Sequence, residues 1–200
     1  TPRDYSIEAD WSGASYWFSL VALAEEAELL LPGLRPHSLQ GDREIVAIME
    51  KLGVGSRWDA EGLRLYKTPA SKGLQQDFAD CPDLAQTVAV CCAAKGIPGR
   101  FTGLHSLRIK ETDRIAALQA ELAKLGASLQ EEEAGMFSLI PARQPLPERV
   151  QISTYDDHRM AMAFAPLAAK MDVGIEDPEV VQKSFPRFWE QMKGVGFQIP

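Results

Sequence analysis

The fold follows from "DWSGASYWFSLVALAEE" (residues 10–26), a stretch that begins with an aspartate and continues as a run of small and apolar residues. In this run the apolar residues cover nearly every side of a helix, so no polar face remains for solvent. A helix of this kind must be buried among other elements. The stretch therefore predicts an α/β (α+β) fold with helices inside and sheets outside.

Two later segments repeat this pattern: "DLAQTVAVCCAAKG" from Asp83 and "DDHRMAMAFAPLAAK" from Asp156. Both steps between the three starting aspartates, from Asp10 to Asp83 and from Asp83 to Asp156, are 73 residues long. Such self-similarity is the signature of a repeat architecture. We predict three approximate repeats, at residues 1–70, 71–143 and 144–200, arranged around a pseudo-threefold axis.

A second, amphipathic helix ending near glycine follows each buried one: "DREIVAIMEKLGV" (42–54), "DRIAALQAELAKLGA" (113–127) and "PRFWEQMKGVG" (186–196). The segments that lead into the first two share Gly-Leu, His-Ser-Leu and Asp-Arg: "GLRPHSLQGDREI" (33–45) and "GLHSLRIKETDRI" (103–115). In the second copy, Thr112 is the predicted N-cap and Gly126 the predicted C-terminal stop.

Short β-rich runs separate the helices: "YSIEA", "LRLYK", "GRFTGL", "MFSLIPA", "RVQIST" and "VGIED". Each copy is therefore predicted to be a βαβαββ-type unit. The three buried helices should begin at one common end, where their N–H groups and partial positive charge favour anions.

Composition limits the class of function. The chain has 200 residues, 46% of them hydrophobic, with a net charge of -7. An acidic protein of this kind is not expected to bind duplex nucleic acid, which requires a basic face.

Cys81, Cys91 and Cys92 resemble small core residues and fit a reducing cytoplasm. We find no apolar run of membrane-spanning length and no signal peptide, and the missing initiator Met suggests a processed chain or a fragment.

Several motifs identify a resemblance. "EADWSGASYW" (8–17), "CPDLAQTVAV" (81–90), "LRIKETDRI" (107–115), "YDDHRMAMAFA" (155–165) and "DPEVVQKSFPRFWEQM" (177–192) resemble, in this order, the C-terminal lobe of the 5-enolpyruvylshikimate-3-phosphate synthase family. The resemblance covers essentially the whole chain. It implies that residues 1–200 form a single C-terminal lobe, covalently linked to an N-terminal lobe, with the substrates in the cleft between them.

The resemblance also implies the reaction, which is transfer of the enolpyruvyl group of phosphoenolpyruvate to the 5-hydroxyl of shikimate 3-phosphate with release of phosphate. This step belongs to the shikimate pathway of aromatic amino-acid biosynthesis. No metal or organic cofactor, nucleic acid or membrane is expected. The full-length protein is expected to be a cytoplasmic monomer, and the isolated lobe to be inactive.

Site residues are carried over from the matching motifs. Arg114, Arg159 and Lys183 match positions that bind phosphoenolpyruvate, and an arginine fork suits a carboxylate or phosphate. Lys110 and Ser106 match positions that contact shikimate 3-phosphate, although asparagine is more familiar than serine there. The structural alternative is that these cations are ordinary helix-end charges.

Asp83 and Glu111 match the family's proton-transfer carboxylates, and Asp83 also matches a shikimate 3-phosphate contact. Which of the two serves the hydroxyl and which the methylene carbon stays open. The alternative is structural: Asp83 as a helix N-cap and Glu111 as a first-turn acid.

Asp157 and His158 are expected to support the pocket beside Arg159, whereas His37 and His105 have no matching catalytic position and are interpreted as structural. Trp11, Gly13 and Val180 depart from the usual family residues outside the expected chemistry.

Three rival functions remain. A sister enzyme of the same fold transfers enolpyruvyl to UDP-N-acetylglucosamine, but "KETDR" with "DDHRMAM" favours the shikimate enzyme. A non-catalytic RNA-binding repeat module is disfavoured by the acidic balance. A degenerate structural lobe is disfavoured because the complete set of charged motif residues is retained.

Overall fold

The computed structural model describes residues 7–200 and is a mixed α/β structure. The three helices predicted to be buried are α1 (Trp11–Leu23), α3 (Ala85–Lys95) and α5 (His158–Phe164), and the three amphipathic ones are α2 (Ile45–Lys51), α4 (Arg114–Lys124) and α6 (Phe188–Gly194). The strands are β1 (Glu28–Leu31), β2 (Val54–Trp58), β3 (Leu63–Lys67), β4 (Leu74–Asp77), β5 (Gly99–Thr102), β6 (Ser128–Glu131), β7 (Phe137–Ile140), β8 (Arg149–Ile152) and β9 (Asp172–Ile175).

The centre of the core is formed by α1, α3 and α5, which pack against one another. Every residue of α1 except Ser12 is buried, as is every residue of α5 except Arg159. The Ser15 and Thr87 hydroxyls lie 3.4 Å apart between α1 and α3, and Gln86 Nε2 lies 3.0 Å from Met160 Sδ between α3 and α5. The prediction of helices inside is confirmed.

The sheets lie outside and follow the predicted segments. Among the described residues, however, only the second segment has the complete βαβαββ order, because the first shows no strand before α1 and the third has no strand after α6. The second sheet has four strands with the order β4-β5-β7-β6, in which β4 and β5 are parallel and the other pairs antiparallel. The first sheet, β1-β3-β2, reproduces the antiparallel part, and the third, β8-β9, reproduces the parallel pair. Each sheet takes its strands from one of the three predicted segments.

The outer position of the sheets agrees with the alternation of their side chains. In β3, Leu63 and Leu65 are buried, whereas Tyr66 is exposed. The same alternation holds in β5 and β7, so one face of these strands contacts the helical core and the other lies toward solvent.

One strand prediction was wrong in part. Of the run "YSIEA", Tyr5 and Ser6 lie outside the described residues, and residues 7–9 form no strand. Ala9 instead donates its N–H to the carbonyl of Gly33 at 2.9 Å, in the loop after β1. Over residues 7–200, the structure has no helix of the length and apolarity that crossing a bilayer requires.

Candidate active site

The N-terminal ends of α1, α3 and α5 meet along one edge of the core, formed by residues 10–13, 82–86 and 156–159 and here called the rim. The ends of α3 and α5 are joined directly, since Arg159 Nη2 lies 2.7 Å from Asp83 Oδ2. Tyr16 of α1 and the same arginine line one small pocket. The repeat therefore brings residues from all three segments to one place.

Arg114 is the most deeply buried cation at the rim, with a relative exposure of 1%. Its Nε donates to Asp157 Oδ2 at 2.6 Å, its Nη1 to Asp83 Oδ1 at 3.1 Å and its Nη2 to Glu111 Oε2 at 2.5 Å. A guanidinium has five N–H donors in a fixed fork, so it can bind several carboxylates at once. Arg114 thus connects segments two and three.

The start of α4 directs Arg114 inward. Asp113 is the N-cap, and its Oδ1 accepts the N–H groups of Ile115 at 3.0 Å and Ala116 at 3.1 Å. The prediction of Thr112 as N-cap was wrong by one residue. Both residue types are good caps, and capping by Asp113 makes Arg114 the first helical residue while Ile115 enters the core. The predicted stop is confirmed, because Gly126 follows the helix with φ +75°.

Asp83 is the acid shared by the three rim cations. Besides Arg114 and Arg159, its Oδ1 lies 3.7 Å from Lys110 Nζ. It sits in a 3-10 turn, Pro82–Leu84, and neither that turn nor α3 shows a side-chain cap in the described structure. The N-cap alternative for Asp83 was therefore wrong, and its carboxylate is free to contact cations.

Six residues form one connected network, here called the rim cluster: Asp83, Lys110, Glu111, Arg114, Asp157 and Arg159. Three acids face three bases, so the cluster is formally neutral. Asp157 is fully buried, and its Oδ1 also accepts the N–H of Arg159 at 2.8 Å. Such an arrangement is stable only while the members stay paired, since an isolated buried charge is costly.

Glu111 lies before α4 rather than in its first turn, so the first-turn interpretation was wrong. Burial opposes its ionisation, but its own backbone N–H and the Arg114 guanidinium outweigh burial and lower its pKa. The pKa of the neighbouring His158 is also lowered, first by burial and then by Arg159. Glu111 is therefore ionised at neutral pH, and His158 is neutral.

The remaining predicted site residues lie beside the rim cluster rather than in it. Lys183 donates from Nζ to the carbonyl of Asp156 at 3.0 Å, next to the start of α5. His158 Nδ1 is buried, has no hydrogen-bond partner among residues 7–200 and lies 3.9 Å from Asp157 Oδ1. Ser106 is half-buried in the 3-10 turn His105–Ile109 and, among the described contacts, makes none with the cluster.

The first segment contributes rim residues that the sequence did not single out. Ser12 donates from its hydroxyl to Asp42 Oδ2, and burial raises the pKa of Asp42 despite that hydrogen bond. Burial also raises the pKa of Tyr16 to about 12, against the lowering effect of Arg159. The only sequence signal was the echo of "GDR" (41–43) in "TDR" (112–114), which marked the position of Asp42 but not its burial.

A small pocket of about 30 Å³ opens between α1 and α5 and is lined by rim residues including Ser12, Tyr16 and Arg159. Its volume suits about one water molecule.

The rim combines cations that can bind anions with carboxylates that can accept or donate a proton. Among the described residues, no group of His, Cys, Asp and Glu side chains could hold a metal ion. The chemistry available from these side chains is anion binding and proton transfer.

Comparison with known proteins identifies the family to which this sequence is similar. The sequence matches the family model for EPSP synthase (3-phosphoshikimate 1-carboxyvinyltransferase) over residues 1–192. A 3-phosphoshikimate 1-carboxyvinyltransferase of Bacteroides fragilis is 45% identical over 197 residues, which are 98% of this chain and 48% of the relative. One of Methanospirillum hungatei is 41% identical and covers 97% of this chain and 45% of its own length.

Solved structures share the fold. EPSP synthase from Acinetobacter baumannii superposes with a TM-score of 0.74 at 23% identity, covering 97% of this chain and 47% of that one. The enolpyruvyl transferase NikO from Streptomyces tendae superposes with a TM-score of 0.65 at 15% identity, covering 98% and 45%. The chain spans about half the length of the curated relatives it matches. With a family match over nearly its whole length, the chain belongs to the EPSP synthase (3-phosphoshikimate 1-carboxyvinyltransferase) family.

Proposed function

We propose that this chain is the C-terminal lobe of an enzyme that transfers the enolpyruvyl group of phosphoenolpyruvate to the 5-hydroxyl of shikimate 3-phosphate. Family membership supports the reaction, and the observation that carries it to this chain is the rim cluster. Three cations and three acids drawn from two repeats lie in mutual contact at one edge of the core. The second lobe would face this edge and enclose the substrates.

Binding of phosphoenolpyruvate is assigned to Arg114, Arg159 and Lys183. Arg159 keeps 14% of its side chain exposed and Lys183 is exposed, so both can reach a ligand above the rim. Arg114 is almost enclosed by carboxylates, so its role would be to position Glu111 and Asp83 and to add positive charge. Charge-assisted hydrogen bonds of this kind are the strong ones.

Shikimate 3-phosphate is assigned to Lys110, Asp83 and Ser106. Lys110 has about a third of its side chain exposed, so a phosphate can compete with Asp83 for its ammonium group. Ser106 precedes Lys110 in the same turn region and would contact the ligand by its hydroxyl. Asp157 and His158 would support the pocket from below.

The reaction requires two opposite proton movements. As the 5-hydroxyl oxygen bonds to C2 of phosphoenolpyruvate, the hydroxyl loses its proton and the methylene carbon C3 gains one. When the C2–O bond to phosphate breaks, C3 returns its proton and the double bond re-forms. Asp83 is assigned to the hydroxyl and Glu111 to C3. Enclosure by the second lobe would raise the pKa of Glu111, so that its carboxyl is protonated at neutral pH and carries the proton that C3 receives.

A chimera tests this function. This chain replaces the matching 48% of the Bacteroides fragilis relative, and phosphate release is measured with phosphoenolpyruvate and shikimate 3-phosphate. We expect turnover that needs both substrates, and none when UDP-N-acetylglucosamine replaces shikimate 3-phosphate. The unaltered relative is the positive control, and circular dichroism shows whether the chimera folds.

Two matched variants test the residue assignments in the same chimera. Arg159→Gln should raise KM for phosphoenolpyruvate roughly tenfold or more, the loss of one charge-assisted contact, with KM for shikimate 3-phosphate nearly unchanged. Lys110→Gln should show the reverse. A folded chimera that is inactive, or that prefers the sugar nucleotide, would contradict the function, and equal KM effects from both variants would contradict the assignments.

The remaining parts of the proposal concern the whole protein. We infer a cytoplasmic, monomeric enzyme whose two lobes are covalently linked. The cysteines support a reducing compartment, because Cys81, Cys91 and Cys92 are all buried and free.

A further inference from the structure

Glu121 is a buried acid that the proposed function does not use. It lies on α4 with a relative exposure of 0%, seven residues after Arg114. Seven residues are about two helical turns, so both side chains project from the same face of α4. A fully buried carboxylate is rare unless it is paired, so its partners indicate what it holds.

The partners of Glu121 lie in the loop between β8 and α5. Its Oε1 accepts the hydroxyl of Tyr155 at 2.8 Å, and its Oε2 accepts the N–H of Ser153 at 3.2 Å. Lys124 balances the charge, with its Nζ 2.6 Å from Oε2 and 2.9 Å from the carbonyl of Gln151 at the end of β8. A single carboxylate therefore fixes two points of the loop.

This loop has an unusual backbone. Tyr155 and Asp156 are consecutive non-glycine residues with positive φ angles, 55° and 56°. Such a conformation is unfavourable for a residue with a Cβ atom and persists only where the surroundings impose it. The contacts of Glu121 supply that constraint on the β8 side of the turn.

The turn leads directly into Asp157, a residue of the rim. Directly after it, Asp157 N–H donates to the Thr154 carbonyl at 2.9 Å, and the Asp157 carboxylate receives Arg114 Nε at 2.6 Å. α4 thus holds both ends of the segment, with Glu121 at Ser153 and Tyr155 and with Arg114 at Asp157. A change at the first point is transmitted to the second because only the left-handed turn separates them.

We propose that Glu121 is a positioning residue that fixes the turn at 153–156 and thereby sets the contact of Asp157 with Arg114. Its importance for catalysis rests on the proposed function. Its effect on the geometry does not, and that effect can be measured on this chain alone.

The test uses solvent exchange of the Arg114 Nε–H, followed by NMR. This proton is buried and donated to Asp157, so it should exchange slowly in the unaltered chain. Glu121→Gln removes the charge and turns one acceptor into a donor, and we expect exchange about tenfold faster. Tyr155→Phe removes a single hydrogen bond and should give a roughly twofold to tenfold increase.

Leu122→Ala is the matched control. Leu122 is the next residue on α4 and is buried in the apolar core, so its truncation destabilises the fold without touching the loop contacts. It should leave exchange of the Arg114 Nε–H unchanged in native conditions. Unchanged exchange in both folded Glu121→Gln and folded Tyr155→Phe would overturn the proposal, as would an equal acceleration in Leu122→Ala. If Glu121→Gln does not fold, Tyr155→Phe decides.

Kinetics of the chimera separate the two proposals. Glu121→Gln should raise KM for phosphoenolpyruvate about tenfold with a smaller change in kcat, because Asp157 and Arg159 move together. Faster exchange without this change in KM supports the positioning role of Glu121 and contradicts the assignment of phosphoenolpyruvate to the rim arginines.

Discussion

The dipeptide Asp-Arg occurs before α2 and again at the start of α4, and the two copies are buried in opposite ways. In the first segment Asp42 is buried and Arg43 is exposed. In the second, Asp113 is half-exposed as a helix cap, and Arg114 is buried among three carboxylates. Identical residues at equivalent positions of a repeat therefore have different roles. The segment packed beside each copy determines whether its aspartate or its arginine is buried.

The cause is the partner that each copy meets. Asp42 meets the hydroxyl of Ser12 in its own segment, whereas Arg114 meets Asp157 of the third segment. The aspartates that open the buried helices differ in the same way. Asp10 caps α1 through the N–H groups of Ser12 and Gly13, and Asp83 contacts cations instead. The repeat determines the fold, and the contact between segments two and three brings the charged groups of the rim cluster together.

The largest expected difference in the free energy of unfolding is between Arg114→Ala and Arg43→Ala. Arg114→Ala leaves Asp157 buried with its guanidinium partner removed, so it should lower the free energy of unfolding by about 3–5 kcal/mol. Arg43→Ala removes an exposed side chain and should change it by less than about 0.5 kcal/mol. Urea unfolding followed by circular dichroism measures both. Similar losses in the two variants would show that the opposite burial does not exist in solution.

A smaller difference in the free energy of unfolding is expected between substitutions of Asp10 and of Asp83. Asp10→Ala removes an N-cap and should cost about 1 kcal/mol, whereas Asp10→Ser keeps a capping oxygen and should recover most of it. At position 83 serine should be no better than alanine, because the lost contacts are ion pairs with Arg159 and Arg114. The same unfolding measurement applies, and recovery by Asp83→Ser would indicate that Asp83 caps α3.

The smallest effect is in the pH dependence of Glu111 and Asp42, which should have opposite signs. The pKa of Glu111 is lowered on folding, so ionised Glu111 stabilises the protein above its unfolded pKa, and this is lost as pH falls through the folded pKa. The pKa of Asp42 is raised, first by burial, so its ionised form opposes folding until the carboxyl is protonated at lower pH.

Consequently, Glu111→Gln should lower stability at neutral pH and Asp42→Asn should raise it, each by less than about 1 kcal/mol. The Glu111 side chain is 40% exposed, so solvent screens its ion pair with Arg114. The Glu111 difference should vanish once the pH has fallen through the folded pKa of Glu111, and the Asp42 difference once the pH has fallen below the unfolded pKa of Asp42. Free energies of unfolding measured from neutral to acidic pH give the sign of the change in each variant. Changes of equal sign would contradict the distinct environments of the two acids.

Much of the fold was predictable from local pattern. α1 is apolar on all sides, so its burial followed directly, and the 73-residue spacing placed the starts of all three buried helices to within two residues. Strands β1, β2, β4 and β6 were missed. The sequences of β4 (Leu74–Asp77) and β6 (Ser128–Glu131), "LQQD" and "SLQE", are largely polar. Their strand state comes from pairing with β5 and β7, which a local pattern does not report.

The site was predictable in its members but not in its geometry. The motifs identified Arg114, Asp83 and Asp157, yet nothing local distinguished Arg114 from Arg43 or indicated that Asp83 leaves its helix uncapped. Those properties depend on which segment packs beside which. Glu121 was missed for the same reason, since an acid on an amphipathic helix resembles an ordinary solvent-exposed residue until its partners on the following loop are known.

The reaction rate of the buried cysteines with an alkylating reagent can report how often the core opens. Cys91 and Cys92 lie inside α3 with no exposed surface, and burial raises the pKa of Cys91 to about 12 and that of Cys92 well above its ordinary value. A thiol in this state does not react with alkylating reagents until the three packed helices separate. Timed alkylation followed by mass spectrometry would therefore report how often the helical centre separates, without any probe being introduced.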